Sequence, residues 1–472
     1  MRKTKIICTI GPACESIEML KKLIKNGLDC ARLNFSHGDY EEHGNRINRI
    51  KQLRQELHIP LPILLDTKGP EIRIGKFTQG SVELKEGDFF LFNTNPNTLG
   101  TVDEVAISCP QLYKDIHVGA TILVDDGKVG FEVVELLDGS IKTKVLNSGK
   151  LSNRKSVNVP NVSINLPYMS EQDKADLLFG ISQDVDFIAA SFTRTEQDML
   201  ELRNFLDCNG GERIKVIAKI ENRQGINNLD AILKVVDGVM IARGDMGVEV
   251  PFRELPFIQK EIIKKCYRSG KHVITATQML ESMTKNPRPT RAEVSDVANA
   301  IYDGTTIIML SGETAMGDYP IESLKAMAEI AETTEDSINY KKRFENNHLD
   351  LGVAVMSAIA NAAVISANQI DARAIVAVTR KGVTAKVIAN YRPNSPIVAV
   401  TADAKAYHQM RLGWNVYPLL FPALDESIED AFESAVKLAK EAAYVKKDDL
   451  IVITGGVKKS DLQTGILKIH KV

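Results

Sequence analysis

The sequence has almost no net charge. Its 472 residues include 59 Lys or Arg and 61 Asp or Glu, which leaves a formal charge of -2. Without an excess of positive charge, the chain as a whole does not attract nucleic acid or an anionic membrane. An anionic ligand must therefore be bound by a local site.

Cysteine is scarce as well. The six cysteines are scattered, with no CxxC pair and no histidine at metal-ligand spacing. This pattern predicts reduced thiols rather than a disulfide scaffold. His37 and His43 lie six residues apart in a polar segment, which is not the spacing of zinc ligands. The N-terminus leads directly into a short apolar run and does not resemble a signal peptide. We therefore expect a cytoplasmic protein.

Long hydrophobic runs are missing, with one exception. Residues 351–367 approach the length of a membrane span. The segment is rich in alanine, carries Ser357, Asn361 and Ser366, and follows Asp350. This composition predicts a buried or interface helix and no membrane segment.

A regular alternation of strand-like and helix-like segments is present instead. At roughly 100–200 residues per domain, the length predicts two to four domains. Strand-helix alternation requires a parallel sheet, and eight such units predict a (β/α)8 barrel, the TIM-barrel fold. The eight strand-like runs are KIICTI, CARLNF, LPILLD, VDFIAASF, KVIAKI, GVMIAR, HVITAT and TIIMLS.

The alternation is interrupted after the third run. Residues 70–165 contain many short strands and glycine turns, which predict an inserted antiparallel β domain of the β-barrel kind. The catalytic barrel then comprises residues 1–69 and 166–345. Residues 346–472 repeat strand and helix signals, too few for a second barrel, and predict an open α/β domain.

Polar residues stand at the predicted carboxyl ends of the barrel strands, where the active sites of such barrels lie. Charged side chains rarely tolerate burial unless they are paired, so this set predicts a functional mouth. Its members are Arg32, Asn34, Ser36, Asp66, Thr67, Lys68, Ser191, Lys219, Glu221, Asn222, Arg243, Asp245, Thr277, Gln278, Ser311 and Glu313.

Two carboxylates of this set follow adjacent strands. Facing one mouth, Glu221 and Asp245 suit a hard divalent cation, Mg²⁺, with positions open for substrate and water. Taken singly, Glu221 is also explained as a helix-cap charge, and Asp245 as a residue that orders its own glycine-flanked loop. Lys219 lies on the same strand face as Glu221. Together with Arg32, this group fits a multiply charged oxyanion such as a phosphoryl group bearing a carboxylate.

A second group supplies oxygen ligands and one formal negative charge, which suits a monovalent cation. The alternative is that these side chains only make hydrogen bonds at strand ends. The group consists of Asn34, Ser36, Asp66 and Thr67.

Eight strings of the sequence together resemble the pyruvate kinase family. The similarity runs through the barrel, the inserted domain and most of the C-terminal region. It implies a glycolytic phosphotransferase that moves the phosphoryl group of phosphoenolpyruvate to ADP, giving pyruvate and ATP, with Mg²⁺ or Mn²⁺ and usually K⁺. It also implies a homotetramer. The strings are ARLNFSHG, LDTKGPEIR, FIAASF, AKIEN, ARGDMGVEVP, ATQML, NPRPTRAEVSDVANAIYDGT and LSGETAMGDYP.

The resemblance also implies roles for the residues of the mouth. Arg32 and Lys219 stabilise the phosphoryl group, and Thr277 with Ser311 nearby ends a proton relay. The metal ligands are Glu221 and Asp245 for Mg²⁺, and Asn34, Ser36, Asp66 and Thr67 for K⁺. The substrate carboxylate binds at Thr277 and the backbone of Ala242, Arg243, Gly244 and Asp245. The nucleotide lies near Asn34, His37, Arg73 and Lys155.

The inserted domain would close over this site as a lid. Ser156 and Asn161 stand where the family usually has glycine, which affects the expected lid motion. The acidic residue Glu71 accompanies potassium dependence in the family.

In the C-terminal region, which has a regulatory or assembly role in the family, one strand-to-helix turn suits the phosphate of an effector. The alternative is that Thr384 is a simple helix N-cap. The residues of the turn are Thr379, Arg380, Lys381, Gly382 and Thr384.

Two other functions are weighed against this one. A Mg²⁺-dependent lyase of phosphoenolpyruvate-type acids would need no nucleotide-binding lid, so Arg73 and Lys155 argue against it. A non-catalytic metabolite sensor would have lost charged strand ends, but Arg32, Lys219 and Glu221 are present.

Overall fold

The apolar runs form strands that are buried on both faces, as in parallel sheets covered by helices. A computed structural model describes residues 1–162, 164–346, 349, 354–422, 427–456 and 464–472. The barrel strands are β1 (Lys5–Thr9), β2 (Cys30–Asn34), β3 (Ile63–Asp66), β13 (Phe187–Ala190), β14 (Lys215–Ile220), β15 (Gly238–Ala242), β16 (His272–Ala276) and β17 (Ile307–Leu310).

These eight strands close into a parallel barrel, which confirms the predicted (β/α)8 fold. Their order around the barrel is β1-β17-β16-β15-β14-β13-β3-β2. β13 pairs directly with β3, although the inserted region separates them in the sequence. The interior is packed with apolar side chains such as Leu64, Phe187 and Met240, and Leu412 of the C-terminal region belongs to the same cluster.

Helices surround the barrel and begin where the sequence supplies caps. Capping boxes start three of them, at Ser170, Thr195 and Thr290. The helices are α1 (Ile17–Lys25), α2 (Tyr40–Leu57), α4 (Glu171–Ser182), α5 (Glu196–Cys208), α6 (Arg223–Asn227), α7 (Leu229–Val235), α8 (Arg243–Glu249), α9 (Leu255–Arg268), α10 (Arg291–Asp303), α11 (Gly312–Ala315) and α12 (Pro320–Asp336), with 3₁₀ turns at Phe252–Glu254 and Glu281–Thr284.

The inserted region is a β structure with its own hydrophobic core, centred on Phe90, Phe92 and Phe131. Seven strands pair in the order β4-β12-β8-β9-β10-β6-β7, and β5 pairs with β11. The pairs are antiparallel, with a parallel pair between β6 and β7, and an isolated bridge between Ile74 and Ile107 joins the two ends of the order. The elements are β4 (Ile72–Arg73), β5 (Ser81–Leu84), β6 (Phe89–Asn93), β7 (Glu104–Ala106), α3 (Leu112–Asp115), β8 (Thr121–Val124), β9 (Val129–Leu137), β10 (Ser140–Val145), β11 (Gly149–Ser152) and β12 (Ser156–Asn158).

The C-terminal region is the predicted open α/β sheet, in the order β20-β19-β18-β21-β22. The apolar segment 351–367 contributes to α14, although residues 351–353 lie outside the described part of the chain. Among the described helices, none is both long and apolar enough to cross a membrane. The elements are α13 (Tyr340–Glu345), α14 (Val355–Gln369), β18 (Ala374–Val378), α15 (Val383–Asn390), β19 (Ile397–Thr401), α16 (Ala404–Met410), β20 (Val416–Leu420), α17 (Ile428–Glu441), β21 (Leu450–Gly456) and β22 (Thr464–Lys471).

Candidate active site at the barrel mouth

Asp66, the last residue of β3, is the centre of the mouth. Its side chain is 1% exposed, and its two oxygens bind different cations. Arg32 Nε donates to Oδ2 at 2.7 Å and Lys219 Nζ donates to Oδ1 at 3.0 Å. Burial would raise the pKa of this carboxyl, but Arg32 and Lys219 hold it below its usual value. The structure thus brings together three predicted residues from three strands around one buried negative charge.

Lys219 connects Asp66 to Glu221. Besides its bond to Asp66, the ammonium donates to Ser191 Oγ at 2.7 Å and lies 3.0 Å from Glu221 Oε1. Burial lowers the pKa of an ammonium, but Asp66 and Glu221 outweigh it and raise the pKa of Lys219. The lysine is therefore a fixed, fully charged group at the mouth.

Glu221 has the properties of a cation ligand. Burial raises its pKa to about 7 against the lowering effect of Lys219, and nearby Asp245 adds to the rise. Its Oε2 accepts the Phe192 N–H at 2.5 Å. Its buried Oε1 lies 3.0 Å from the Lys219 ammonium but accepts no well-aligned hydrogen bond from any described residue, so this oxygen still has a lone pair for a bound cation.

Glu221 and Asp245, the two predicted Mg²⁺ ligands, supply two carboxylates from neighbouring strand ends. They follow β14 and β15, which are hydrogen-bonded neighbours. Within the described ranges, no group of three or more His, Cys, Asp or Glu side chains is placed to enclose a metal ion. Two carboxylates fit Mg²⁺, since this ion usually takes its remaining ligands from water and substrate oxygens.

The four residues predicted to hold K⁺ also converge. Asn34 and Asp66 are direct partners in the register of β2 and β3, and Asn34 Oδ1 accepts the Ser36 N–H at 3.2 Å. Thr67 follows Asp66, and its backbone oxygen accepts a hydrogen bond from Ser191 Oγ at 2.6 Å. The donors are all oxygen atoms, which suits an alkali cation.

The turn after β16 is strained. Thr277 and Gln278 have φ of 65° and 51°, in the left-handed region that few non-glycine residues adopt. The Thr277 hydroxyl accepts the Gly244 N–H at 2.8 Å and donates to the Ala276 oxygen at 2.6 Å. This hydroxyl is therefore held beside the first turn of α8.

Arg243 maintains that turn rather than facing the mouth. Its buried guanidinium donates to the Thr277 oxygen at 2.8 Å and the Gln278 oxygen at 3.1 Å. Asp296 on α10 pairs with it at 2.6 Å. The backbone of residues 242–245, not the Arg243 side chain, is therefore the part of this segment available to a substrate.

Three other residues at strand ends have clear local surroundings. The buried Ser311 Oγ has no hydrogen-bond partner in the described part of the chain. Glu313 accepts the N–H groups of Leu280 and Ser311, and Asn222 caps α6. Glu313 and Asn222 thus have structural roles, whereas the Ser311 hydroxyl remains available.

A cavity of about 650 Å³ separates the mouth from the inserted region. His37 and Asp245 line it from the barrel, and Arg73 and Lys155 line it from the inserted region. Three of the four predicted nucleotide residues therefore face one cleft, whereas Asn34 does not line it and lies beside Asp66, among the predicted K⁺ ligands.

The two cationic residues that line the cleft from the inserted region are both paired with acids. Arg73 binds Glu71 at 2.8 Å, and Lys155 binds Asp125 at 2.9 Å. The charge of Glu71 is therefore balanced by Arg73, just as Asp66 is balanced by Arg32 and Lys219. The negative charges of Glu71 and Asp66 are therefore each paired with a positive side chain.

The C-terminal turn has a different character. Arg380 and Lys381 are exposed, and the Arg380 oxygen accepts a hydrogen bond from Thr401 Oγ1 at 2.8 Å. α15 begins at Val383 after Gly382, which has a φ of 80°. Thr384 is thus the second residue of the helix, and its interpretation as the N-cap is wrong.

Sequence reasoning missed one residue of the mouth. Thr9 ends β1, and its hydroxyl accepts a hydrogen bond from Arg32 at 2.8 Å. The available signal was the barrel itself, because each of the other seven strands contributes a polar end residue to the predicted set and β1 must end at the same mouth.

The fold and the site define a (β/α)8 enzyme whose mouth binds a multiply charged anion. Comparisons with known proteins agree. The family model described as pyruvate kinase, barrel domain, matches residues 1–324, and the model for the pyruvate kinase alpha/beta domain matches residues 357–470. The chain belongs to the pyruvate kinase family, the glycolytic enzymes that transfer the phosphoryl group of phosphoenolpyruvate to ADP.

Individual relatives cover the full chain. The pyruvate kinase of Bacillus licheniformis is 48% identical over 100% of this chain and 81% of its own length. That of Clostridium acetobutylicum is 46% identical over 100% of both. The crystal structure of a pyruvate kinase from Cryptosporidium parvum has a TM-score of 0.95 at 38% identity and covers 100% of this chain and 96% of that one.

Proposed function

We propose that the barrel mouth carries out this phosphoryl transfer with the residues predicted from the sequence. The observation that carries the proposal is the placement of two buried cations, Arg32 and Lys219, on the two oxygens of Asp66. Cations fixed in this way need little reorganisation when charge develops on a phosphoryl group. Little covalent chemistry is required of the protein, so positioning and charge supply most of the catalysis.

In the transfer, an oxygen of the β-phosphate of ADP attacks phosphorus and the bond to the enol oxygen breaks. Arg32 and Lys219 bind the oxygens of the phosphoryl group as it moves. The resulting enolate takes a proton at carbon, and we assign the delivery of that proton to water bound between Thr277 and Ser311. The available hydroxyl of Ser311 supports this assignment.

The metal roles follow from the donor sets. Glu221 and Asp245 would hold Mg²⁺, or Mn²⁺ in its place, and Asn34, Ser36, Asp66 and Thr67 would hold K⁺. When bound, these ions neutralise charge on the phosphoryl and carboxylate oxygens. The substrate carboxylate binds the Thr277 hydroxyl and the backbone of Ala242, Arg243, Gly244 and Asp245.

The nucleotide occupies the cleft between the barrel and the inserted region. Its phosphates displace Glu71 and Asp125 as partners of Arg73 and Lys155, with His37 and Asn34 nearby. We assign residues 1–69 and 166–345 to the catalytic barrel and residues 70–165 to a β-barrel lid that excludes competing water. Ser156 and Asn161 line the cleft, at positions where they affect closure.

Residues 346–472 form a regulatory and assembly domain in this proposal. The turn containing Thr379, Arg380, Lys381, Gly382 and Thr384 binds the phosphate of a small-molecule effector. The enzyme works as a cytoplasmic homotetramer.

Replacement of Lys219 by Met tests the proposed function. In a coupled assay of pyruvate formation, Lys219→Met should lower kcat by about 10²–10³-fold and change KM little, because the ammonium acts mainly in the transition state. Exchange of the methyl protons of pyruvate should persist. Lys215→Met, at the start of the same strand, removes an outer pair with Asp237 and should retain activity. A loss confined to KM contradicts the assigned role.

A further inference from the structure

Two buried hydroxyls of the mouth have no assigned role. Thr9, at the end of β1, is 5% exposed, and Ser191, just after β13, is 2% exposed. Each contacts one of the two cations that bind Asp66. Thr9 Oγ1 accepts from Arg32 at 2.8 Å, and Ser191 Oγ accepts from Lys219 at 2.7 Å.

Each hydroxyl is oriented by a backbone carbonyl. Thr9 Oγ1 donates to the Leu310 oxygen at 3.1 Å. Ser191 Oγ donates to the Thr67 oxygen at 2.6 Å, a shorter contact than its 3.2 Å to Asp66. A hydroxyl has a single proton. Because a strand-end carbonyl takes that proton, the oxygen can only act as an acceptor toward the cation.

This arrangement gives Arg32 a second fixed contact and gives Lys219 a third one, beside Asp66 and Glu221. A cation bonded to Asp66 alone could pivot about that carboxylate, whereas two acceptors on different strands define its direction. In the described part of the chain, Arg32 makes two side-chain hydrogen bonds of the five that a guanidinium can donate, and Lys219 makes two of three. Arg32 therefore keeps three N–H groups for an anion, whereas Lys219, whose Nζ also lies 3.0 Å from Glu221 Oε1, presents a positive charge held by three neighbours.

We propose that Thr9 and Ser191 are positioning residues that aim Arg32 and Lys219 at the transferring phosphoryl group. The inference rests on the proposed function, because it assumes that these cations act on that group. It assigns the hydroxyls no contact with substrate.

Variants that remove only the hydroxyl test this proposal. Thr9→Val and Ser191→Ala should each lower kcat about ten- to hundredfold, since small misplacement of a catalytic group costs that much. KM for phosphoenolpyruvate should stay within about threefold because the charges remain. Thr9→Ser keeps the hydroxyl and should restore the rate. Methyl-proton exchange of pyruvate should be nearly unchanged. A general packing defect would instead lower this exchange together with phosphoryl transfer.

Thr314→Val is the matched control. Thr314 is also fully buried, and its hydroxyl donates to the Thr9 oxygen at 2.9 Å without contacting either cation. This variant should retain the kcat of the unmodified enzyme. In the Lys219→Met background, Ser191→Ala should have no further effect on kcat, because its only route to the reaction is gone.

The outcomes separate the two proposals. If Lys219→Met abolishes transfer but Thr9→Val and Ser191→Ala match Thr314→Val, the positioning role is wrong and the proposed function stands. Equal losses in transfer and proton exchange, or failure of Thr9→Ser to recover, also overturn the positioning role. If Lys219→Met itself remains active, the proposed function is wrong, and the positioning role that rests on it is wrong as well.

Discussion

The barrel mouth and the C-terminal turn, which we propose as two phosphate sites, each contain two cations but hold them differently. At the mouth, Arg32 and Lys219 are 7% and 8% exposed and are bonded to a shared carboxylate. At the turn, Arg380 and Lys381 are exposed. Exposed charges are screened by water, whereas the buried pair is largely shielded from water and held by fixed acceptors. The first arrangement suits catalysis and the second suits regulated binding.

Among the variants considered, Asp66→Asn should have the largest effect on activity and stability. The variant keeps the shape of the side chain but leaves Arg32 buried without its counter-charge and Lys219 with Glu221 alone, which costs about 3–5 kcal/mol of folding free energy. We expect kcat to fall by about a thousandfold or more, because both cations lose their orientation. Steady-state kinetics and denaturant unfolding measure the two effects.

Asp318→Asn is the surface control for this variant. Asp318 pairs with Lys285 at 3.3 Å, and both side chains are more than half exposed. Its removal should change stability by less than about 1 kcal/mol and leave kcat intact. Similar losses in the two variants would mean that the burial of the Asp66 network has no special energetic importance.

Removal of monovalent cations should have the next largest effect. With tetramethylammonium as the only monovalent cation, the rate should fall about a hundredfold, and K⁺ should restore it, because the cage of Asn34, Ser36, Asp66 and Thr67 needs a cation of suitable size. Glu71→Lys should reduce the dependence at some cost in maximal rate, since a tethered ammonium cannot match the cage.

Glu71→Gln controls for the broken pair with Arg73. It removes the same salt bridge but supplies no ammonium, so its activity should still depend on K⁺. Equal loss of K⁺ dependence in Glu71→Gln would show that the pair with Arg73, rather than the missing positive charge, sets the requirement. Full activity in tetramethylammonium would show that the cage residues bind no cation and only make hydrogen bonds at the strand ends.

The contrast between buried strand ends and an exposed turn also explains which parts of the site could be predicted from the sequence. Each barrel strand is a continuous apolar run, so its polar end residue could be located without knowing its neighbours. The partners could not be located, because the bonds between Asp66, Lys219 and Ser191 depend on the closure of the barrel and on β13 lying beside β3. Thr9 could not be distinguished from an ordinary strand residue, because its contact with Arg32 also depends on the closure of the barrel.

In the C-terminal turn, the sequence was less informative still. A Gly-Val-Thr string allows a helix to begin either directly after the glycine or after the threonine as N-cap. In the structure, Gly382 has a φ of 80° and α15 begins directly after it, at Val383. Local sequence therefore predicted the composition of the turn but not its geometry.

Removal of a contact between the inserted region and the barrel should have an effect of intermediate size on activity. Asn158 on β12 donates to Glu249 Oε1 on α8 at 2.8 Å, and burial raises the pKa of Glu249. Asn158→Ala should raise KM for ADP about three- to tenfold with a smaller change in kcat, because closure of the lid is weakened. Lys142→Ala, at an exposed pair within the inserted region, should leave KM unchanged. An unaltered KM in Asn158→Ala would exclude this contact from lid closure.

Lys381→Ala should have the smallest effect on the unactivated rate, within about twofold of the unmodified enzyme, because Lys381 lies on an exposed turn of the C-terminal sheet. A thermal-shift screen of sugar phosphates and nucleoside monophosphates should identify an effector, since a ligand at a hundred times its Kd adds about 2.7 kcal/mol of stability. Lys381→Ala should then lose both the thermal shift and the activation. This is the opposite pattern to Lys219→Met, which should lose the rate but keep the effector-induced shift. If Lys381→Ala is activated normally, the turn is not the effector site, and exposed cations at a helix start do not by themselves mark one.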